Sequence, residues 1–316
     1  MKKILLMLSL LAWATAQAQE TVTIGSGNTT GVYFRIASGF AKLVNDTETG
    51  VRLKARPTAG SLANIAGLES GELQMALVEG DVAFYAYTGT GLTAFEKKPL
   101  KGLKSVAYLY PEVVHILARA GAGIRSIADL KGKKVAIGET GSSTQASARL
   151  ILGAYKLTFT DLAQALQVTP SQGLASLQDG SVDAAFYVAP LGAVVLQKVA
   201  ADTALRAVPL EYETVQALAR KYPFYTALNI PSGVYKGIEV TTPAIGVRTV
   251  LLASEHMSAD LLYGLMKPTF GNRAAFRGLE PHLAQFDPRQ ALKGLPVPLH
   301  PGAEKYWIEQ GFIAPQ

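Results

Sequence analysis

The sequence contains no cysteine. Disulfides, thiolate zinc sites and a thiol nucleophile are therefore excluded together. Histidine is almost as scarce. His115, His256, His282 and His300 are scattered, and no H-E-x-x-H or related metal-ligand spacing occurs. Charged residues make up only 17% of the chain against 49% apolar ones, which suits a packed globular protein and argues against disorder. The basic excess is thin. The formal net charge of +6 falls to +4 without Lys2 and Lys3, and basic clusters are short, as in Lys131-Gly-Lys133-Lys134. Nucleic-acid binding asks for a concentrated basic stripe, which is missing.

One apolar run stands out. Lys2 and Lys3 precede the stretch Ile4 to Trp13, and Ala16-Gln17-Ala18 follows it. This is the pattern of a cleavable signal peptide over residues 1–18, and the run is too short to span a bilayer. The reading places the mature chain, from about Gln19, outside the cytoplasm. No cysteine precedes the cut, so no lipid anchor is expected there. No second apolar run is long enough to cross a membrane, and the length suits two domains of ordinary size.

The mature chain opens as strand, glycine turn and helix. Thr21 to Ile24 is β-prone, and Gly25 to Gly31 is the turn. Tyr33, Ile36, Ala37, Phe40, Ala41 and Val44 then form one apolar helix face. Val51 to Ala55 alternates as a second strand, and Leu62, Ile65 and Leu68 mark another helix after Gly60-Ser61. Such alternation predicts an α/β fold with a parallel sheet. A weak echo supports two similar lobes: Leu68 to Leu77 resembles Leu177 to Phe186, each reading as helix end, glycine cap and buried strand. The chain after Ile245 reads as a return to the first lobe. The expected division is lobe 1 from 19–116 and 244–316, lobe 2 from 117–243, joined by two hinge crossings near His115–Arg119 and Pro243–Val247.

Catalytic signals are few. Gly25-x-Gly27-x-x-x-Gly31 misses dinucleotide spacing by one residue, and Arg52, Lys54 and Arg56 stand where an acidic residue would hold a ribose. The turn still lets backbone approach a ligand, with the next helix offering free N–H groups. Gly138 to Gln145 repeats that design. Ser142 and Gln145 fit a capping box, and Ser143 and Thr144 are candidates to hold an anionic group. No G-x-S-x-G elbow surrounds these serines. Glu79 and Asp81, two residues apart after a strand, should point to different faces. His115, in the run Val113 to Leu117, reads as a core histidine. No catalytic, metal or cofactor site is expected.

Several stretches, taken in order, resemble the TAXI-type solute receptors of TRAP transporters. They include Gly25–Tyr33, Thr58–Asn64, Gly71–Tyr85, Tyr110–His115, Gly123–Val135, Gly141–Thr144, Asp183–Phe186 and His300–Ala303. The resemblance implies a periplasmic-binding-protein fold that closes around a solute and delivers it to a TRAP membrane permease. It implies a periplasmic, monomeric receptor with no enzyme activity, for glutamate, glutamine or a dicarboxylate such as 2-oxoglutarate. Carried onto this chain, the cleft residues are Asn28, Thr29, Thr30, Tyr33, Gly60, Ser61, Glu79, Asp81, Ser142, Ser143, Thr144 and Tyr187. Position 79 departs from the family, where a neutral amide is expected. Alternatives on the residues are an exported α/β hydrolase and a ligand-sensing receptor for a membrane kinase. No arginine stands at a motif position. Arg35, Arg119 and Arg149 are expected on solvated faces or at the hinge.

Overall fold

The computed structural model describes residues 20–29, 31–47 and 50–315. The expected signal peptide and Thr30 lie outside the described residues.

The first strand–helix units form as expected. β1 (Glu20–Gly25) leads to α1 (Val32–Asn45), whose face Ile36, Ala37, Phe40 and Val44 is buried. β2 (Val51–Arg56), α2 (Ser61–Ser70) and β3 (Met75–Glu79) follow. Next come α3 (Gly80–Thr88) and the 17-residue β4 (Leu103–Arg119). A second set repeats the plan with β5 (Lys134–Ala136), α4 (Ser143–Ala154), β6 (Gln164–Leu166), α5 (Pro170–Asp179) and β7 (Ala184–Ala189). The echo between the sets is real at the caps. α2 ends on Gly71 at φ 79° and α5 on Gly180 at φ 83°, both left-handed, where a Cβ would be strained. The chain continues through α6 (Val194–Asp202), β8 (Leu205–Ala207), α7 (Tyr212–Lys221) and β9 (Tyr225–Ile230). It finishes with β10 (Thr242–Ser254), α8 (Ala259–Phe270), α9 (Arg273–Gly278), α10 (Pro288–Ala291) and α11 (Pro301–Glu309).

The expectation of a parallel sheet is corrected. The strands join in the order β2-β1-β3-β10-β4-β7-β5-β6, with β8 on β4 and β9 on β10. Only the two flanks are parallel, β2-β1-β3 and β7-β5-β6. Between them β10 runs antiparallel to β3 and β4, and β4 antiparallel to β7. Long connections allow this, because a returning strand need not follow a right-handed crossover. β4 and β10 are thus shared, each pairing with both flanks or their neighbours. Their mutual ladder shifts register between Arg248 and Val250 and again between Leu251 and Leu252.

The core follows the same division. Phe40, Phe270, Phe276 and Trp307 pack around the first flank, and Leu174, Leu177, Leu196 and Ile230 around the second. A third cluster joins them, running from Ile65 and Val82 through Phe224 and Tyr225 to Ile151 and Phe186. Trp307, 1% exposed, donates its indole N–H to Val106 O at 3.0 Å and so anchors α11 to the start of β4. Among the described residues, no helix is long and apolar enough to cross a membrane.

Candidate functional site

The ends of β1 and β3 are stitched by Asn64, a fully buried residue of α2. Its side-chain amide donates to Ser26 O at 2.6 Å and Leu77 O at 2.7 Å. The Thr58 hydroxyl lies 2.8 Å from both Ser26 O and Asn64 Oδ1 and gives its one hydrogen to one or the other. This network gives the Thr58–Asn64 motif a structural purpose. It fixes α2 so that Ser61, the first residue of the helix, faces the end of β3. The Ser61 hydroxyl donates to Glu79 Oε2 at 3.2 Å and accepts the Glu79 N–H at 3.1 Å.

Glu79 and Asp81 do not diverge. Alternation of faces holds only while a strand continues, and β3 stops at Glu79. α3 starts at Gly80, so Asp81 turns back toward the same seam. Asp81 is 1% exposed. Its Oδ1 accepts the Val82 N–H at 2.8 Å, and its Oδ2 accepts the Ser143 hydroxyl at 2.8 Å. Ser143 is the first residue of α4, so this bond ties a helix of the first set to a helix of the second. Of the two candidate turns it is the second, Gly141–Thr144, that meets the Glu79–Asp81 segment through this bond.

A third carboxylate joins the pair. Glu112, on β4, accepts the hydroxyl of Thr249, on β10, at 2.9 Å. Both are buried. Beside them stand the hydroxyls of Tyr33 and Tyr110, which are buried without a hydrogen-bond partner. Burial, then the charges of Glu112 and Glu79, push Tyr33 well above the usual phenol range. Tyr110 is raised likewise by burial and by Glu112. Tyr187 is raised by burial and by the Glu112 charge.

The carboxyls hold charge poorly. Burial raises Glu79 well above the carboxylate range, and the charges of Asp81 and Glu112 add to it, against hydrogen bonds from Ser61 and Ser143. Burial pushes Asp81 up to about 6 despite its bonds from Ser143 and Val82. Burial also raises Glu112, opposed by the Thr249 hydroxyl. Ser143 has one hydrogen and cannot satisfy two carboxylates at once.

The nearby cations are engaged elsewhere. Arg35, expected on a solvated face, donates Nε to Glu280 Oε2 at 2.7 Å and a terminal nitrogen to Oε1 at 3.3 Å. Glu280 is 4% exposed and also meets His282 Nδ1 at 2.8 Å. Burial works against its charge, but Arg35 and His282 hold it below its usual range. Arg248 lies 3.7 Å from the Tyr108 ring centre and donates to the carbonyls of Pro223, Lys293 and Gly294. Arg149 lines a separate cavity of about 420 Å³ with Thr93, Lys97, Gly141 and Gln145. Tyr85 is raised by burial and by the Asp81 charge, against that of Arg149.

The remaining sequence candidates are placed differently. Asn28 and Thr29 are exposed in the first turn, and Gly60 stands at φ 100° before α2. Thr144 is buried against Gly138 of its own turn. Ser142 caps α4 by accepting the Gln145 N–H at 3.1 Å, but the reciprocal arm of the capping box goes to the Gly141 N–H at 3.0 Å. The box is displaced by one residue because the Ser142 N–H bonds Glu139 O. His115 is a satisfied core histidine. Its Nδ1 donates to Tyr187 O at 3.3 Å, its Nε2 accepts the Tyr235 hydroxyl at 2.8 Å, and burial holds it down to about 4. Glu112, Thr249 and Tyr110 escaped the reading of the residues as site members. A carboxylate inside the apolar run Leu103–Leu117 was the available signal.

The fold matches that of periplasmic solute-binding proteins. A substrate-binding protein of an ABC uptake transporter from Streptococcus pneumoniae, solved with bound histidine, is 16% identical over 89% of this chain and 98% of its own, with a TM-score of 0.50. A TctC solute-binding protein from Polaromonas is 13% identical over 84% of this chain and 89% of its own, with a TM-score of 0.50. The profile of the NMT1-like family matches residues 24–311, and the chain belongs to the NMT1-like family.

Proposed function

We propose that this chain is a periplasmic solute receptor of the TAXI type, exported by the signal peptide and working with a TRAP membrane permease. It carries no catalytic role in this reading. It binds a small carboxylate or amino acid between lobe 1 (19–116 and 244–316) and lobe 2 (117–243), with β4 and β10 as the hinge. The observation that carries the reading is the bond between Asp81 and Ser143. It brings the ends of two strand–helix sets together at a buried polar seam, where ligands of open α/β sheets sit. A ligand that touches both sets favours the closed arrangement over the open one.

A thermal-shift screen of amino acids and dicarboxylates is expected to give a hit, since binding to the folded state adds about 2.7 kcal/mol at a hundredfold excess over Kd. X-ray scattering with that ligand should show a smaller radius of gyration. A screen without any hit would remove the receptor reading. Identical scattering at saturation would remove the hinge alone.

A further inference from the structure

Within the receptor reading, we propose that the solute carries net positive charge, with an ammonium group seated among Glu79, Asp81 and Glu112. Basic amino acids and diamines then bind in preference to the dicarboxylates that the family resemblance implies. The inference rests on that reading and narrows it.

Three carboxyls stand on one seam: Thr249 of β10 pairs with Glu79 in the β3 ladder and gives its hydroxyl to Glu112 of β4, and Asp81 opens α3 two residues after Glu79. Three like groups can stay together in three ways: a protein cation pairs them, they take up protons, or a ligand cation pairs them. Among the described residues no cation forms an ion pair with any of the three: Arg35 and His282 meet Glu280, and the terminal nitrogens of Arg248 meet three carbonyls. Burial, which raises all three groups, favours protons in the empty state. They do not explain why acids stand here, since Gln and Asn would keep the same bonds to Ser61, Val82 and Thr249 without that cost.

An independent observation points to the ligand. Tyr110 is 4% exposed, its hydroxyl has no partner, and it stands two residues before Glu112 on β4. Its neighbour Thr249 already gives its one hydrogen to Glu112. A buried hydroxyl left this way costs about 1–3 kcal/mol. A phenol oxygen accepts as well as donates. An ammonium with three donors satisfies that oxygen and two carboxylates in one step, whereas a ligand carboxylate here would face three like charges.

Calorimetric titration of the purified protein with lysine, putrescine, glutamate and 2-oxoglutarate tests this. Lysine or putrescine is expected to bind at least tenfold more tightly than either dicarboxylate. Glu112→Gln keeps the acceptor for Thr249 and is expected to weaken the cation at least tenfold, while melting no lower than the natural chain. Glu79→Gln serves as the second variant should the first fail to fold. A dicarboxylate that outbinds both cations overturns the charge assignment and leaves the receptor reading intact. Cation binding unchanged in both variants overturns the placement. No heat from any of the four overturns the inference, and only an empty broad screen would take the receptor reading with it.

Discussion

Gly80→Ala is expected to abolish ligand binding and to lower stability by about 2–3 kcal/mol, a cost in the range of core overpacking. Gly80 separates Glu79 from Asp81 and opens α3. A Cβ there would lie 2.7 Å from Arg248 O, 3.1 Å from Tyr108 Cε1 and 3.2 Å from Phe224 Cβ. The nearest of these is backbone of β10, which is held on both sides by β3 and β4. No flexible side chain can yield, so α3 must lift. Asp81 would then leave Ser143, and Glu79 would leave Ser61. Urea unfolding together with titration of the best ligand measures both effects. Gly264→Ala is the control, since nothing lies within 4 Å of a Cβ at that helical position, and it should be neutral or slightly stabilising. A Gly80→Ala protein with natural affinity and stability would show that α3 does not fix the carboxyl pair.

Asp81→Asn is expected to stabilise the ligand-free protein at pH 8 and not at pH 4. Asparagine keeps both bonds, accepting from Val82 and donating to Ser143. The sign follows from proton uptake. Burial raises Asp81 to about 6 in the folded state, against roughly 3.9 in an unfolded chain. The folded state therefore binds more protons between these values, and stability is lost as pH rises from about 4 through 6. A shift of about two units is worth about 3 kcal/mol. The weaker neutral bond to Ser143 offsets part of this, leaving a gain of about 2 kcal/mol at pH 8. The comparison must be between the two proteins at each pH, because His115, held down to about 4 by burial, changes stability in the opposite direction over an overlapping range. Equal stability differences at pH 4 and pH 8 would mean that Asp81 titrates normally.

Local patterns carried most of the architecture. The face of α1, the glycine caps of α2 and α5 and the strand ends all depend on neighbours within a few residues, so spacing and glycine reveal them. What escaped was set by long-range pairing. Thr249 bonds Glu112 across 137 residues, and Tyr110 enters the seam only because β4 lies beside β10. Glu79 and Asp81 were placed apart by a rule of strands that ends one residue too soon. Ser142 and Gln145 were paired by a motif whose second half the Gly141 N–H captures instead.

The position of β10 has a consequence for how the chain reaches this fold. β3 ends at residue 79 and β4 begins at residue 103, yet the strand that lies between them starts only at residue 242. Until that strand arrives, both hold open edges of buried, apolar sequence, which invite pairing with other chains. No N-terminal fragment ending before Thr242 can complete the central sheet. Collapse of the first flank must therefore wait for most of the chain, and contacts spanning well over a hundred residues make such folding slow. The same wedge that joins the two flanks delays their order until the final quarter of the molecule is present.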